Sequence, residues 1–277
     1  MVKAWHATAL ALALGLTFGA AAPAAAPEVP GADQIVTRTL PNGMKVVVWP
    51  DKDIPNVAMY TWYRVGSRNE RPGITGISHF FEHMMFNGTK TRAPGEFDRI
   101  MEGSGGSNNA YTSSDVTVYQ NWFPSSVTGL IFDLEADRMR NLDFNAEKVE
   151  SERGVVFSER RSSVDNDNFG TLLEQMQATA FVAHPYQIPI IGWPSDIEGW
   201  TVADLQDYYH QYYAPNNDVM FIVGDVDPEA VFKLADQYLA GIPAQPAPPA
   251  VTTKEPPQLG DRRLRIARAP PTPLIAM

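Results

Sequence analysis

The chain has 277 residues, 44% hydrophobic and 19% charged, with a formal net charge of −10 at pH 7 and no cysteine. That mix fits a globular protein of one large domain or two modest ones, not a disordered chain. No basic patch is present to displace phosphate counterions, which argues against a nucleic-acid binder, and the lack of cysteine excludes disulfides, a lipid-attachment thiol and thiol catalysis.

Residues 1–26 read as a secretory signal peptide. Lys3 precedes an Ala/Leu-rich run from Ala7 to about Ala22, and Pro23-Ala24-Ala25-Ala26-Pro27 closes it with small residues. Gly15, Gly19 and Pro23 break the run, so it suits a cleaved signal better than an anchor. The expected location is therefore outside the cytoplasm, periplasmic or secreted, with no membrane span left after cleavage.

Ile35 to Arg38 and Lys45 to Trp49 are predicted strands around Pro41-Asn42-Gly43, where Asn-Gly is a strong hairpin signal. Val57 to Val65 alternates as a third strand, and the polar loop Gly66 to Gly73 follows. Then comes Gly76-Ile77-Ser78-His79-Phe80-Phe81-Glu82-His83-Met84-Met85-Phe86-Asn87-Gly88. Ile77, Phe80, Phe81, Met84 and Met85 form a core-facing helical stripe. At about 100° per residue that leaves His79, Glu82 and His83 together on the other face. Thr75 is the expected N-cap and Asn87-Gly88 the expected stop. Two histidines one turn apart can share a metal ion with a carboxylate beside them. This H-x-x-E-H pattern inverts the H-E-x-x-H metalloprotease helix and reads as a zinc site. The plain alternative is three polar residues on the solvated face of an ordinary amphipathic helix.

Pro94 to Met101 is a predicted short helix, and Gly103 to Ser107 a turn without any phosphate-binding glycine spacing. Asn109 to Phe123 alternates as strand, and Ser125 to Arg140 reads as an amphipathic helix with Val127, Leu130, Ile131, Leu134 and Met139 inward. Asn145 to about Ser163 is an acidic helix, Phe169 to Phe181 another helix, and Pro185 to Pro194 a loop. Thr201 caps a helix to Tyr213. Val219 to Val223 is a buried strand, and Asp227-Pro228 opens a helix to about Leu239. From Gly241 onward prolines mark a stiff linker, after which Arg263 to Ala267 is the expected restart of a strand. The apolar run Pro273 to Met277 at the end suggests a fragment of a longer protein.

A catalytic zinc needs three protein ligands and an open position. His79 and His83 supply two, and the acidic helix offers Glu152 and Glu159, seven residues apart and nearly aligned on one face. Their separation of about 10 Å along the axis is too great for both to bind easily. One should ligate and the other sit behind it, and spacing leaves open which. Both could equally be a solvated helix face. His184 and His210 carry no assigned role.

Five segments resemble the pitrilysin, insulinase and mitochondrial-processing-peptidase family of zinc peptidases, the inverzincins. They are His79 to Thr89, Asn109-Ala110-Tyr111-Thr112-Ser113, Glu152 to Glu159, Tyr213 to Asn217 and Val223 to Pro228. The likeness runs from about Leu40 to Pro243, in the family's order. It implies an α+β domain over 34–243, with a mixed, mostly antiparallel sheet and helices packed on it. The Pro-rich linker and the truncated start of a second, similar domain would occupy 244–277. It further implies one Zn2+ per chain on His79, His83 and Glu159, Glu82 as general base, and Glu152 as a supporting member of the catalytic set. Asn109, Ala110, Tyr111 and Thr112 become the sheet edge on which a peptide or unfolded polypeptide substrate adds as a strand. Family members pair this domain with a second half contributing an Arg/Tyr pair. The implied partner is thus a missing C-terminal half or a homologous subunit, and the chain alone is expected to bind zinc and turn over poorly. Two other classes fit less well. A non-catalytic partner subunit sits badly with the intact ligand set. The S-ribosylhomocysteine lyase type, which also carries H-x-x-E-H, fails for want of a cysteine.

Overall fold

The computed structural model describes residues 29–143, 145–268 and 275. The expected signal peptide and all but one residue of the apolar end lie outside them. Residues 1–33 and 34–277 fall into two units, and the sheet and the helices packed on it belong to the second.

The alternating strands of the first hundred residues build one half of a sheet. β1 (Val36–Thr39) and β2 (Lys45–Pro50) form the hairpin expected of Asn42-Gly43, with Gly43 at φ +88°. β3 (Asn56–Tyr63) buries Val57, Met59, Thr61 and Tyr63 on one face, as its period of two predicts. The metal-motif helix α1 (Ile77–Met84) and α2 (Glu96–Gly103) follow. The single strand expected over Asn109 to Phe123 is instead a hairpin, β4 (Ser107–Thr112) and β5 (Thr117–Pro124). Its turn has neither Gly nor Pro. The Ser113 hydroxyl accepts from the N–H of Asp115 (3.2 Å) and Val116 (3.1 Å) and makes the reversal.

α3 (Thr128–Asn141), α4 (Ala146–Arg160) and α5 (Asn168–Ala180) come next, with a π-helical turn, Arg161–Asp165, extending α4. α3 is not the simple amphipathic helix expected. Leu130 is exposed, while Glu135 and Arg138 are buried as a pair. Thr61 and Asn121 donate to the Glu135 carboxylate, and the Arg138 guanidinium, which donates to Glu135 through Nε and Nη2, lies 4.4 Å over the Tyr119 ring; its Nη1 has no hydrogen-bond partner among the described residues. A short helix, α6 (Pro194–Gly199), opens on the last residue of the predicted loop, with Pro194 in its first turn. α7 (Val202–Tyr212), β6 (Asp218–Gly224) and α8 (Pro228–Tyr238) match expectation, Thr201 and Asp227 capping as predicted. No strand forms over Arg263 to Ala267; this stretch pairs with no strand among the described residues and follows a proline-rich run.

The sheet order is β1-β2-β6-β3-β5-β4, with β2 and β6 parallel and all other neighbours antiparallel. This is the mixed, mostly antiparallel α+β architecture expected. The core is built from alternate sheet residues such as Val46, Val48 and Met59, met by Phe80, Phe81 and Met84 of α1. Phe81 stacks on Tyr208 and Tyr209 at 6.0 and 5.9 Å and meets Tyr213, the residue after α7, at a tilt at 5.0 Å, which pins α1 against α7. β4 is left as a sheet edge.

Candidate metal centre

The two histidines are set by the start of α1. Thr75 is not its cap. The N-cap is Gly76 at φ +85°, and a Cβ there would sit 2.4 Å from the Ile191 carbonyl oxygen, so only glycine allows the close approach. The Thr75 hydroxyl donates instead to Asp196 (2.7 Å) and accepts from Trp193 N–H (3.0 Å). The free N–H groups of the first turn go to the buried Glu70 carboxylate, which accepts from Gly76 (2.7 Å) and Ser78 (2.9 Å). The helix proper ends at Met84, and hydrogen-bonded turns carry the chain on to Asn87, whose N–H donates to Met84 O at 3.0 Å.

With the apolar stripe buried, His79, Glu82 and His83 share the opposite face, and α4 lies across from them. The donor atoms of His79, His83 and Glu159 all lie within 4.8 Å of one another. Glu159 Oε2 is 3.6 Å from His79 Nε2 and 3.3 Å from His83 Nε2. Two donors about 2.1 Å from a tetrahedral ion stand about 3.4 Å apart, so both carboxylate–imidazole separations fit a zinc ion. Glu152 meets the opposite side of His83: its Oε1 is 2.7 Å from Nδ1, while Oε2 accepts from the Asn87 amide. A carboxylate on Nδ1 holds a ring proton there, so Nε2, which faces Glu159, is the nitrogen that a metal would meet. The His79 Nδ1 is buried without a hydrogen-bond partner among the described residues.

The charges agree with a cation site. Burial, then the nearby His83, pushes His79 down to about 4. Burial works against protonation of His83 too, but the Glu152 and Glu159 hydrogen bonds prevail and raise it to about 9. In Glu159 the His83 hydrogen bond outweighs burial, and in Glu152 the His83 and Asn87 hydrogen bonds overcome it; both carboxyls are held below their ordinary range. A proton on His83 between two carboxylates stands where a metal cation would balance the same charges. Glu82 goes the other way. Burial raises it, while the Thr112 hydroxyl, donating to Oε2 at 2.6 Å, opposes the rise.

An open cleft of about 400 Å³ adjoins the centre, lined by Glu82, His83, Phe86, Asn87, Gly95, Asp98, Asn109, Ala110 and Glu152. Of the four residues read as the substrate strand, Asn109 and Ala110 line this cleft and Tyr111 is exposed on β4. The Thr112 hydroxyl is on Glu82. A second cavity of about 600 Å³ lies elsewhere, between residues 68–72 and 249–253, and contains none of the three metal-group residues. Asn87 and Glu70 contribute beyond the residues expected from the sequence. Asn87 carried a signal, since it stands four residues after His83 and so on the same side of the chain; Glu70 carried none.

An inverted histidine–glutamate motif with a carboxylate of α4 brought to both imidazoles, in a mixed-sheet α+β fold, is the pattern of a zinc-peptidase type of domain. Residues 45–193 match the family profile described as insulinase (peptidase family M16), and residues 199–277 match the one described as peptidase M16 inactive domain. The chain belongs to the M16 insulinase family. It is 38% identical over 229 residues to the zinc protease PqqE of Helicobacter pylori, covering 81% of this chain and 51% of that protein. It is 30% identical over 208 residues to a probable mitochondrial-processing peptidase subunit beta of Arabidopsis thaliana, covering 75% of this chain and 39% of that one. Among solved structures, a protease from Helicobacter pylori superposes with a TM-score of 0.80 at 36% identity, over 82% of this chain and 56% of that one. The periplasmic protease PqqL of Escherichia coli gives 0.74 at 28% identity, over 82% and 26%. The chain thus spans about half the length of PqqE.

Proposed function

We propose that this chain is the zinc-holding half of an exported metalloendopeptidase that hydrolyses peptides or unfolded polypeptides. The observation that carries this reading is the approach of Glu159 Oε2 to Nε2 of both His79 and His83, at 3.6 and 3.3 Å, with Glu82 on the same helix face. Zinc held by His79, His83 and Glu159 would supply a Lewis acid that polarises the scissile carbonyl and makes water acidic enough to attack near neutral pH. Glu82 takes the proton of the attacking water and hands it to the departing amine. The Thr112 hydroxyl holds Glu82 in place. Glu152 is a positioning residue, acting through His83. The exposed edge of β4 receives the peptide as an added strand, with Asn109 and Ala110 at the cleft. Export is supported by the Lys3 and Ala/Leu-rich leader and by the likeness to a periplasmic protease.

A second reading, a partner-dependent subunit of a two-chain processing protease, is favoured by the likeness to a processing-peptidase beta subunit. The complete ligand group stands against its non-catalytic form. The test is zinc content and hydrolysis of a labelled unfolded polypeptide, with a second half or partner subunit supplied. Wild-type protein is expected to hold one zinc per chain, His79→Ala to hold none, and Glu82→Gln to keep zinc but lose hydrolysis. Turnover by zinc-loaded Glu82→Gln free of wild type would remove Glu82 from its role, and wild type without zinc would remove the whole reading.

A further inference from the structure

We propose that Asn87 is a positioning residue of the metal centre, its side-chain amide holding the Glu152 carboxylate that in turn holds His83; the inference rests on the metal reading above. Glu152 is 13% exposed, so few of its hydrogen bonds can come from water. One carboxylate oxygen meets His83 Nδ1 at 2.7 Å and the other accepts from Asn87 Nδ2. A carboxylate can only accept, so the amide nitrogen, not its oxygen, must face Glu152. Each Glu152 oxygen therefore has its own donor, and the plane of the carboxylate is fixed by two points rather than one.

Asn87 is able to do this because its own backbone is held. Its N–H donates to Met84 O at 3.0 Å. The next residue, Gly88, has φ +83°, and a Cβ there would lie 2.8 Å from both Arg92 O and Pro94 N. Thr89 then anchors the loop to α3 through Asp137, hydroxyl to carboxylate, at 2.6 Å. The amide is thus presented from a rigid loop.

The consequence is an asymmetry between the two imidazoles. His83 has a carboxylate on its second nitrogen; His79 has no partner on its own among the described residues. Among the described residues, the outer support of the imidazole pair runs through His83, and Asn87 is the far end of it. Without the amide, Glu152 Oε2 has no donor among the described residues and the carboxylate is free to turn, loosening the Nδ1 contact that would aim Nε2 at a metal. An aspartate at 87 would do worse by setting one carboxylate against another.

The test measures zinc affinity of the full chain by competition with a chelating dye, and thermal midpoints of the zinc-free protein. Loss of an outer partner typically weakens metal binding about 10–100-fold. Asn87→Leu, similar in size without the donor, is expected to bind zinc about tenfold more weakly. Asn87→Asp, nearly isosteric, is expected to bind more weakly still, and a cooperative zinc-free melt of each variant shows that its affinity is read on folded protein. In a Glu152→Ala background, Asn87→Leu should change affinity less than about twofold, because the route through Glu152 is already gone. Affinities within twofold of wild type for both Asn87 variants overturn the proposal, as does an equal loss in the Glu152→Ala background. Either result leaves the metal centre standing, whereas wild type that binds no zinc overturns both.

Discussion

His83 has a partner for each of its ring nitrogens, Glu152 at Nδ1 and Glu159 facing Nε2. A similar economy governs Glu82, whose carboxyl is raised by burial and steadied by one hydroxyl, that of Thr112. A hydrogen bond to a charged group is worth about 1.5–3 kcal/mol, so on the proposed roles loss of the Thr112 donor should be felt at Glu82 and not at the metal. Thr112→Val is expected to lower kcat about tenfold while zinc affinity stays within about twofold. Equal losses in kcat and zinc affinity would show instead that Thr112 shapes the whole centre. At this scale the sequence was partly legible. His79, Glu82 and His83 share one face of one helix, and helical geometry alone brings them together. Glu152 and Glu159 could not be told apart by spacing, because their difference lies in which histidine nitrogen each meets, a matter of how α4 lies across α1. Asn87 was hidden behind its role as a helix stop, and the Thr112–Glu82 contact behind a strand pattern.

The entry to α1 shows how an element positions chemistry. Glu70 takes the place of a conventional N-cap, and burial pushes its carboxyl up to about 8 against the pull of the Ser78 and Gly76 N–H groups. The folded value exceeds the unfolded value near 4.5, so the stability this group contributes is fully present below about pH 4.5 and is lost as pH rises through about 8. Glu70→Gln cannot titrate and gives up one of the two acceptor oxygens. Its midpoint should lie below wild type at pH 5, and the gap should narrow steadily up to pH 8. Thermal melts across that range check this, and a gap that does not change with pH would mean that Glu70 ionises normally. Element types were legible wherever an apolar period was long, as in β3 and α1. They were not where side chains replaced the usual punctuation. The β4–β5 reversal is made by Ser113 rather than Gly or Pro, and Glu70 caps α1 from six and eight residues upstream of its donors.

The sheet order could not be read along the chain, because β6 comes last and lies between β2 and β3. That insertion decides what a minimal folding unit must contain. The first family profile ends at 193, before α7 and β6. Removing β6 would strip the parallel partner from β2 and the antiparallel partner from β3, opening two edges inside the sheet. Removing α7 and the residue after it would take away Tyr208, Tyr209 and Tyr213, the rings against which Phe81 of the histidine helix packs. A fragment covering 34–193 should therefore neither melt cooperatively nor bind zinc, although it keeps every residue of the metal group. A fragment covering 34–243 keeps all six strands and should do both. Its midpoint should be lower than that of the full chain, because it loses the Asn216–Gln245 hydrogen bonds and the Glu255 carboxylate that accepts from the N–H groups of Val182, Ala183 and His184. Circular dichroism melts with and without added zinc separate the two fragments. A folded, zinc-binding 34–193 fragment would show that the metal centre is supported locally by α1 and α4 and does not depend on the late strand.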